Sequence, residues 1–266
     1  MSSEPVRTEI DDEGFATVTL NRPELHNAFD DELIARLAGI FRGLAENPRV
    51  RVVLLAAEGR SFSAGADLNW MRRMAGYSEA ENVEDAMGLA RMLETLYRLP
   101  RPTIALVHGA TFGGGVGLVA CCDIALAAPE ARFALTEVRL GILPAVISPY
   151  VVQAMGMRAA RRYILTAERF DAEEARRLGL VHEVVPAEGL RARGLELARQ
   201  LAGNGPEALA EAKALVDAVA HRPVDEALMR RTAEWIARVR ASAEGREGIG
   251  AFLEKREPAW RRRPDG

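Results

Sequence analysis

Apolar runs of two different periods alternate along most of the chain, and after about residue 188 only the helical period survives. This change of rhythm restricts the chain to an α/β body followed by a purely helical region. The segments VRTEI (6–10) and FATVTL (15–20) read as strands, and the turn stretch DDEG between them makes a hairpin. An amphipathic helix follows over about residues 30 to 46, with Asp30 as its N-cap and Leu33, Leu37, Ile40 and Leu44 along one face. VRVVLLAAEG then reads as a buried strand. A second helix carries Val83, Met87, Ala90, Leu93 and Tyr97 at helical spacing, until Pro100 and Pro102 stop it before the strand TIALV. IALAA and ARFAL read as further short strands. FDAEEARRLGL reads as a helix with Asp171 and Glu174 as a capping box and Gly179 past its end, and VHEVV as the last strand. Beyond it the helical pattern is broken only by NGP and HRP, which places a boundary between a core at 1–188 and a helical region at 189–266.

With 48% hydrophobic and 27% charged residues among 266, the chain can bury a sizeable core and disorder is excluded. No apolar run approaches the roughly 20 residues of a membrane span. The opening MSSEPVRTEIDDEG lacks the basic-then-apolar pattern of a secretion signal, so a cytoplasmic location is expected. A net charge of −3 with both signs interspersed argues against a nucleic-acid partner, and the one basic cluster, RRRPDG, reads as a solvated end. The two cysteines, Cys121 and Cys122, are adjacent and read as buried thiols. His26, His108, His182 and His221 are scattered without paired spacing, so no metal site is expected.

The stretch GATFGGGVG (109–117) needs its own account. It lies where the strand TIALV hands over to a helix, a place at which free backbone N–H groups point outward. Gly115, Gly117 and Ala120 satisfy GxGxxA, and Glu137 lies near the expected distance for a ribose-binding acid. However, HGATFGG separates the strand from the first glycine of that match, which disfavours a dinucleotide site. No GK[ST] follows for a phosphate loop, and no GxSxG exists for a serine hydrolase. A tight turn with close helix packing is the plain structural alternative. A second stretch, SFSAGADLNWM (61–71), also comes after a strand and opens a helix. Two such turns facing one cleft, each offering one backbone N–H, form an oxyanion hole, and small residues are required there because a side chain would block the oxygen.

Six segments in order now carry a resemblance: NRPELHNAF, FSAGADL, the glycine stretch with CCDIALA, FALTEVRLGILP, LTAERFDAEEARRLGLVHEVV and FLEKREPAW. Along nearly its full length the chain resembles the enoyl-CoA hydratase/isomerase, or crotonase, superfamily. The resemblance implies an α/β spiral of ββα units with a C-terminal α-helical trimerisation region. It also implies a homotrimer or dimer of trimers and an acyl-CoA thioester as substrate, with coenzyme A as the carrier and no separate cofactor. Carried over by position, the oxyanion donors are the backbone N–H groups of Ala66 and Gly114, and Glu137 is the catalytic carboxylate. The second glutamate that hydratases of the family normally carry falls on Gly117.

The resemblance further implies CoA contacts at Arg22, Glu24 and His26, at Ala64, Asp67 and Leu68, and at Phe252 and Lys255. Asn69 stands where relatives often have Lys, which leaves Arg72 or Arg73 to supply that phosphate contact; Trp70 and Met71 are expected to pack. GGGVG together with LPAVISPYVV (143–152) resembles the bacterial 3-methylglutaconyl-CoA hydratase branch and its isohexenylglutaconyl relatives, acting in leucine and acyclic-terpene catabolism. The implied reaction is reversible hydration of 3-methylglutaconyl-CoA to 3-hydroxy-3-methylglutaryl-CoA. Gly117 would then leave room for the substrate's free carboxylate, with Ser148, Tyr150 and Arg139 as nearby polar or cationic contacts. A one-base enoyl-CoA isomerase fits the same missing glutamate, and a CoA- or RNA-binding scaffold is the non-enzymatic alternative, opposed for RNA by the acidic balance.

Overall fold

The computed structural model describes residues 4–261, so the first three residues and all of RRRPDG except Arg261 lie outside it. Contacts divide the chain into two compact units, Met1–Glu196 and Leu197–Gly266.

In the first unit, β1 (Val6–Ile10) and β2 (Phe15–Leu20) form the antiparallel hairpin, and Asp11 closes its turn by accepting from the amides of Glu13 and Phe15. α1 (Asp31–Glu46) starts where Asp30 accepts from the Leu33 amide at 2.8 Å, and it buries Leu33, Leu37, Phe41 and Leu44. β3 (Val52–Ala57) and β4 (Ser61–Ser63) precede α2 (Leu68–Met74) and α3 (Glu79–Tyr97). β5 (Thr103–Val107) and β6 (Ala110–Phe112) precede α4 (Gly114–Cys121). β7 (Ile124–Ala127) and β8 (Arg132–Ala134) precede a 3-10 turn at Glu137–Leu140 and then α5 (Ser148–Met155) and α6 (Met157–Thr166). β9 (Phe170–Asp171), α7 (Ala172–Leu178), β10 (Glu183–Val184) and the start of α8 (Leu190–Ala202) complete the unit.

The strands sort into two sheets. One has the order β1-β2-β3-β5-β7-β10, parallel from β2 onward, and the other has the order β4-β6-β8-β9, with β4, β6 and β8 parallel. After the β1–β2 hairpin, which lies wholly in the larger sheet, the pairs β3/β4, β5/β6 and β7/β8 each send their first strand to the larger sheet and their second to the smaller, and this alternation makes the fold a spiral. The larger sheet's β3 and β5 are continuous apolar runs because both of its faces are covered.

Three local expectations are corrected. The strand and helix flanking the glycine stretch are not directly joined, because ATF forms β6 between them, and SFS likewise forms β4. Three residues are too few to show a period. The inward face of α3 is Met92, Leu93 and Leu96, whereas Val83 and Met87 are exposed at 53% and 39%. Only the C-terminal half of that helix contributes side chains to the core, and spacing alone does not reveal which half does. Asp171 caps α7, but the Glu174 carboxylate does not return the bond. It accepts from the Tyr163 hydroxyl at 2.8 Å and from Arg177.

The second unit holds the rest of α8 with α9 (Pro206–Val219), α10 (Glu226–Ala241) and α11 (Ala243–Leu253). Glu244 accepts from the amides of Glu207 and Ala208, so it caps α9 from α11. Trp260 and Arg261 both donate to the Gly203 carbonyl. No helix among the described residues is long and apolar enough to cross a membrane.

Arg177 and the Tyr163 hydroxyl hold Glu174 down to a pKa of about 2, against an ordinary 4.5. A carboxyl depressed on folding contributes stability that is present above its unfolded pKa and lost as pH falls through the folded value. Glu174→Gln is therefore expected to lower Tm at neutral pH and to flatten the fall in Tm between about pH 4.5 and 2, as read by thermal melts across that range.

Candidate active site

β4 and β6 run parallel as neighbours, so the chain leaves both strands at the same end of the smaller sheet. The segment after β4 is Ala64–Gly65–Ala66–Asp67, and the segment after β6 is Gly113–Gly114. In each, a glycine with positive φ stands just before the residue whose amide is of interest: Gly65 at +94° before Ala66, and Gly113 at +49° before Gly114. Only glycine takes such angles without cost, and the reversal turns the next N–H out of the sheet's own hydrogen bonding. Gly114 is the first residue of α4, where helix amides have no internal acceptor. Neither the Ala66 nor the Gly114 amide donates to an acceptor among the described residues.

The two turns touch. A Cβ placed on Gly113 would stand 3.9 Å from Gly65 Cα and 2.9 Å from Glu137 Oε1. Glu137 opens the 3-10 turn that follows β8, the strand next to β6, and the Gly113 amide donates to Ala134 at the end of β8. Three adjacent strand ends thus deliver Ala66, Gly114 and Glu137 to one place. Glu137 Oε2 is buried and has no hydrogen-bond partner among the described residues. Burial raises the Glu137 pKa above the ordinary carboxylate value, and a hydrogen bond from its own backbone opposes this. Arg139, two residues on, makes no ion pair with it; its guanidinium donates to the Ala167 carbonyl at 2.6 Å.

The site contradicts one expectation about Gly117. Gly117 leaves no room for a substrate group, because a Cβ there would meet Ile147 Cγ2 at 2.4 Å and Leu93 Cδ1 at 3.8 Å. The space is filled from α5's approach, which sequence spacing could not reveal. The side chains suggested for a substrate carboxylate are also engaged elsewhere. Ser148 donates to Ala145, Tyr150 packs against Tyr97 at 5.1 Å between centroids, and Arg139 is held as above.

The residues suggested for CoA in the first unit form one edge. The Ala64 amide donates to the His26 carbonyl at 2.9 Å, which joins segment 22–26 to segment 64–68. His26 takes a left-handed conformation with Nδ1 3.0 Å from Ser61 Oγ, Arg22 pairs with Asp30 at 2.7 Å, and Glu24 is exposed in a 3-10 turn. The Asp67 carboxylate caps α2 through the amides of Asn69 and Trp70, and Leu68 is 68% exposed. Asn69 accepts from Arg72, and Arg73 pairs with Asp31, while Trp70 is buried and donates to Asp85. Phe252 and Lys255 belong to the second unit, where Phe252 is 81% exposed and Lys255 follows the end of α11. Cys121 and Cys122 are buried and not disulfide-bonded, and no metal-binding group of His, Cys, Asp or Glu occurs among the described residues.

A family model for enoyl-CoA hydratase/isomerase matches residues 11–263. The chain belongs to that family. It is 44% identical to an enoyl-CoA hydratase from Shewanella pealeana, with a TM-score of 0.94 over 97% of this chain and 96% of the other. It is 33% identical to an enoyl-CoA hydratase from Mycobacterium smegmatis, with a TM-score of 0.91 over 98% and 100% of the two chains. It is also 34% identical over 259 residues to a carnitinyl-CoA dehydratase from Citrobacter koseri, covering 92% of this chain and 94% of the relative. The fold is accordingly the crotonase fold, and the chain is an enoyl-CoA hydratase-like enzyme acting on acyl-CoA thioesters.

The Gly117 contact yields an expected outcome. Gly117→Glu pushes a carboxylate into Ile147 and lowers stability by about 2 kcal/mol or more, and adding Ile147→Ala restores part of it. Urea unfolding midpoints of the single and double variants check this.

Proposed function

We propose that the protein hydrates the double bond of a 2-enoyl-CoA, with 3-methylglutaconyl-CoA as its substrate, using Glu137 and the amides of Ala66 and Gly114. The observation that carries the reading is a carboxylate whose Oε2 is buried and has no hydrogen-bond partner among the described residues, beside a glycine turn whose next amide is unclaimed. In the reaction the thioester oxygen accepts from both amides. Glu137, ionised, takes a proton from water as its oxygen bonds to Cβ, the π electrons move onto the thioester oxygen, and the same carboxyl then returns the proton to Cα. One water is added and nothing is left over. The α4 N-terminus adds its dipole to the charge that develops on the oxygen.

The choice of substrate is supported by the GGGVG and LPAVISPYVV segments alone. A second reading, an isomerase that moves one proton from Cα to Cγ, is favoured by the apolar filling at Gly117, which leaves a single acid. Offering 3-methylglutaconyl-CoA and a 3-enoyl-CoA in parallel separates the two. Turnover of the first supports hydration, and turnover of the second alone rejects it.

Because ionised Glu137 is the active form and burial raises its pKa, kcat/KM is expected to rise with pH through a midpoint above 4.5 and then level off. Glu137→Gln is expected to reduce kcat by at least about 100-fold while CoA affinity stays near wild type. Steady-state rates over a pH series, with CoA binding by calorimetry, test both.

The proposed assembly is a homotrimer or dimer of trimers. The second unit exposes Val216, Met229, Ile236 and Leu253, which supports self-association. Equilibrium sedimentation is expected to return three or six copies, and a monomer at micromolar concentration would overturn it.

A further inference from the structure

The segment Asn27–Asp30 closes the NRPELHNAF motif and touches both turns of the site. Phe29 forms an isolated parallel bridge with Ala66: its amide donates to the Gly65 carbonyl and its carbonyl accepts from the Asp67 amide, both at 2.7 Å. In a parallel bridge the residue opposite is gripped through its two neighbours, so its own N–H faces the other way. Phe29 therefore holds the first turn in the one register that leaves the Ala66 amide pointing outward. Its ring meets the second turn, with Cδ2 and Cε2 lying 2.7 and 2.8 Å from where a Cβ on Gly114 would stand. One side chain thus bears on the Cα of one donor residue while its backbone sets the orientation of the other.

Phe29 is itself braced on both sides. Asn27 is fully buried, donates to the carbonyls of Glu58 and Ser61 at 2.9 and 2.8 Å, and accepts from the Arg22 amide at 2.8 Å. Asp30 caps α1 and pairs with Arg22. The ring is 2% exposed and packed within the core, so it has little freedom to move.

We propose that Phe29 is a positioning residue that fixes the separation and aim of the two donor amides. The proposal rests on the reading of Ala66 and Gly114 as the oxyanion donors. It also gives the NAF end of the motif a role apart from CoA binding: it is the spacer between two turns on different strands.

The test compares wild type, Phe29→Leu and the unbranched, more adaptable Phe29→Met, the second serving if the first does not fold, with circular dichroism confirming the fold. Three readouts are taken: kcat and KM on a 2-enoyl-CoA, the pH midpoint of the acid limb, and the red shift in absorption when a conjugated arylacryloyl-CoA binds. That shift reports polarisation of the thioester carbonyl by its donors. The expected result is a fall in kcat of about 10- to 100-fold, KM within about threefold, an unmoved pH midpoint and a diminished red shift. Glu137→Gln, in contrast, should lose turnover and keep the red shift. If the Phe29 variants keep wild-type kcat and red shift, the positioning role is rejected while the donors stand. A parallel loss of CoA affinity reduces Phe29 to core filler and also rejects it. If wild type itself shows neither turnover of enoyl thioesters nor a red shift, the donor assignment falls and the proposal with it.

Discussion

Parallel pairing of two three-residue strands, Ser61–Ser63 and Ala110–Phe112, is the constraint on which the rest of the site depends. Strands that run side by side in one direction end side by side, so the turns leaving them are neighbours whatever their sequences. An antiparallel pair would have sent the two turns to opposite ends of the sheet. The third strand, Arg132–Ala134, joins in the same sense and brings Glu137 to that end. Residues separated by some fifty positions along the chain, Ala66 and Gly114, are placed together by main-chain geometry. The side chains involved are chosen mainly for not being in the way.

Chemical competence then comes from what the surroundings omit. An amide already bonded within a sheet or helix has nothing to offer, and here positive-φ glycines on both turns release the following N–H from the local ladder. A carboxylate satisfied by an arginine would be a poor base. Arg139, two residues along the chain, is diverted to the Ala167 carbonyl, which leaves Glu137 Oε2 buried and without a partner among the described residues. Its raised pKa follows from that isolation and needs no special partner. Holding such a group in place costs free energy, which the hydrophobic core of the first unit offsets.

Gly117 stands where the resemblance to hydratases of the family implies a second acid. Gly117 and Ile147 occupy that volume together, the first by having no side chain and the second by reaching into the gap. The pair makes the site one-sided: polar at Glu137 and apolar on the α4–α5 side. Groups lying against the Ile147 side meet hydrocarbon.

The sequence by itself determined the elements long enough to show a period and the residues with local partners. The Val6–Leu20 hairpin, the Asp30 cap, the buried run Val52–Ala57, the proline stop before Thr103 and the helical character of the C-terminal region with its breaks at NGP and HRP depend on neighbours within a few positions, so their signals lie in the local string. The glycine stretch at 109–117 was legible as a candidate for the same reason, whereas Glu137 as a catalytic carboxylate came from the family resemblance. Tertiary structure alone decided which half of the Glu79–Tyr97 helix is buried, that SFS and ATF are strands, that Glu174 serves Tyr163 and Arg177 in place of its own cap, that Ile147 fills the place opposite Gly117, and that Phe29 spans both turns. Each of these is a contact between segments distant along the chain. Which segments meet is set by the order in which strands enter two sheets, and no local pattern of residues encodes it.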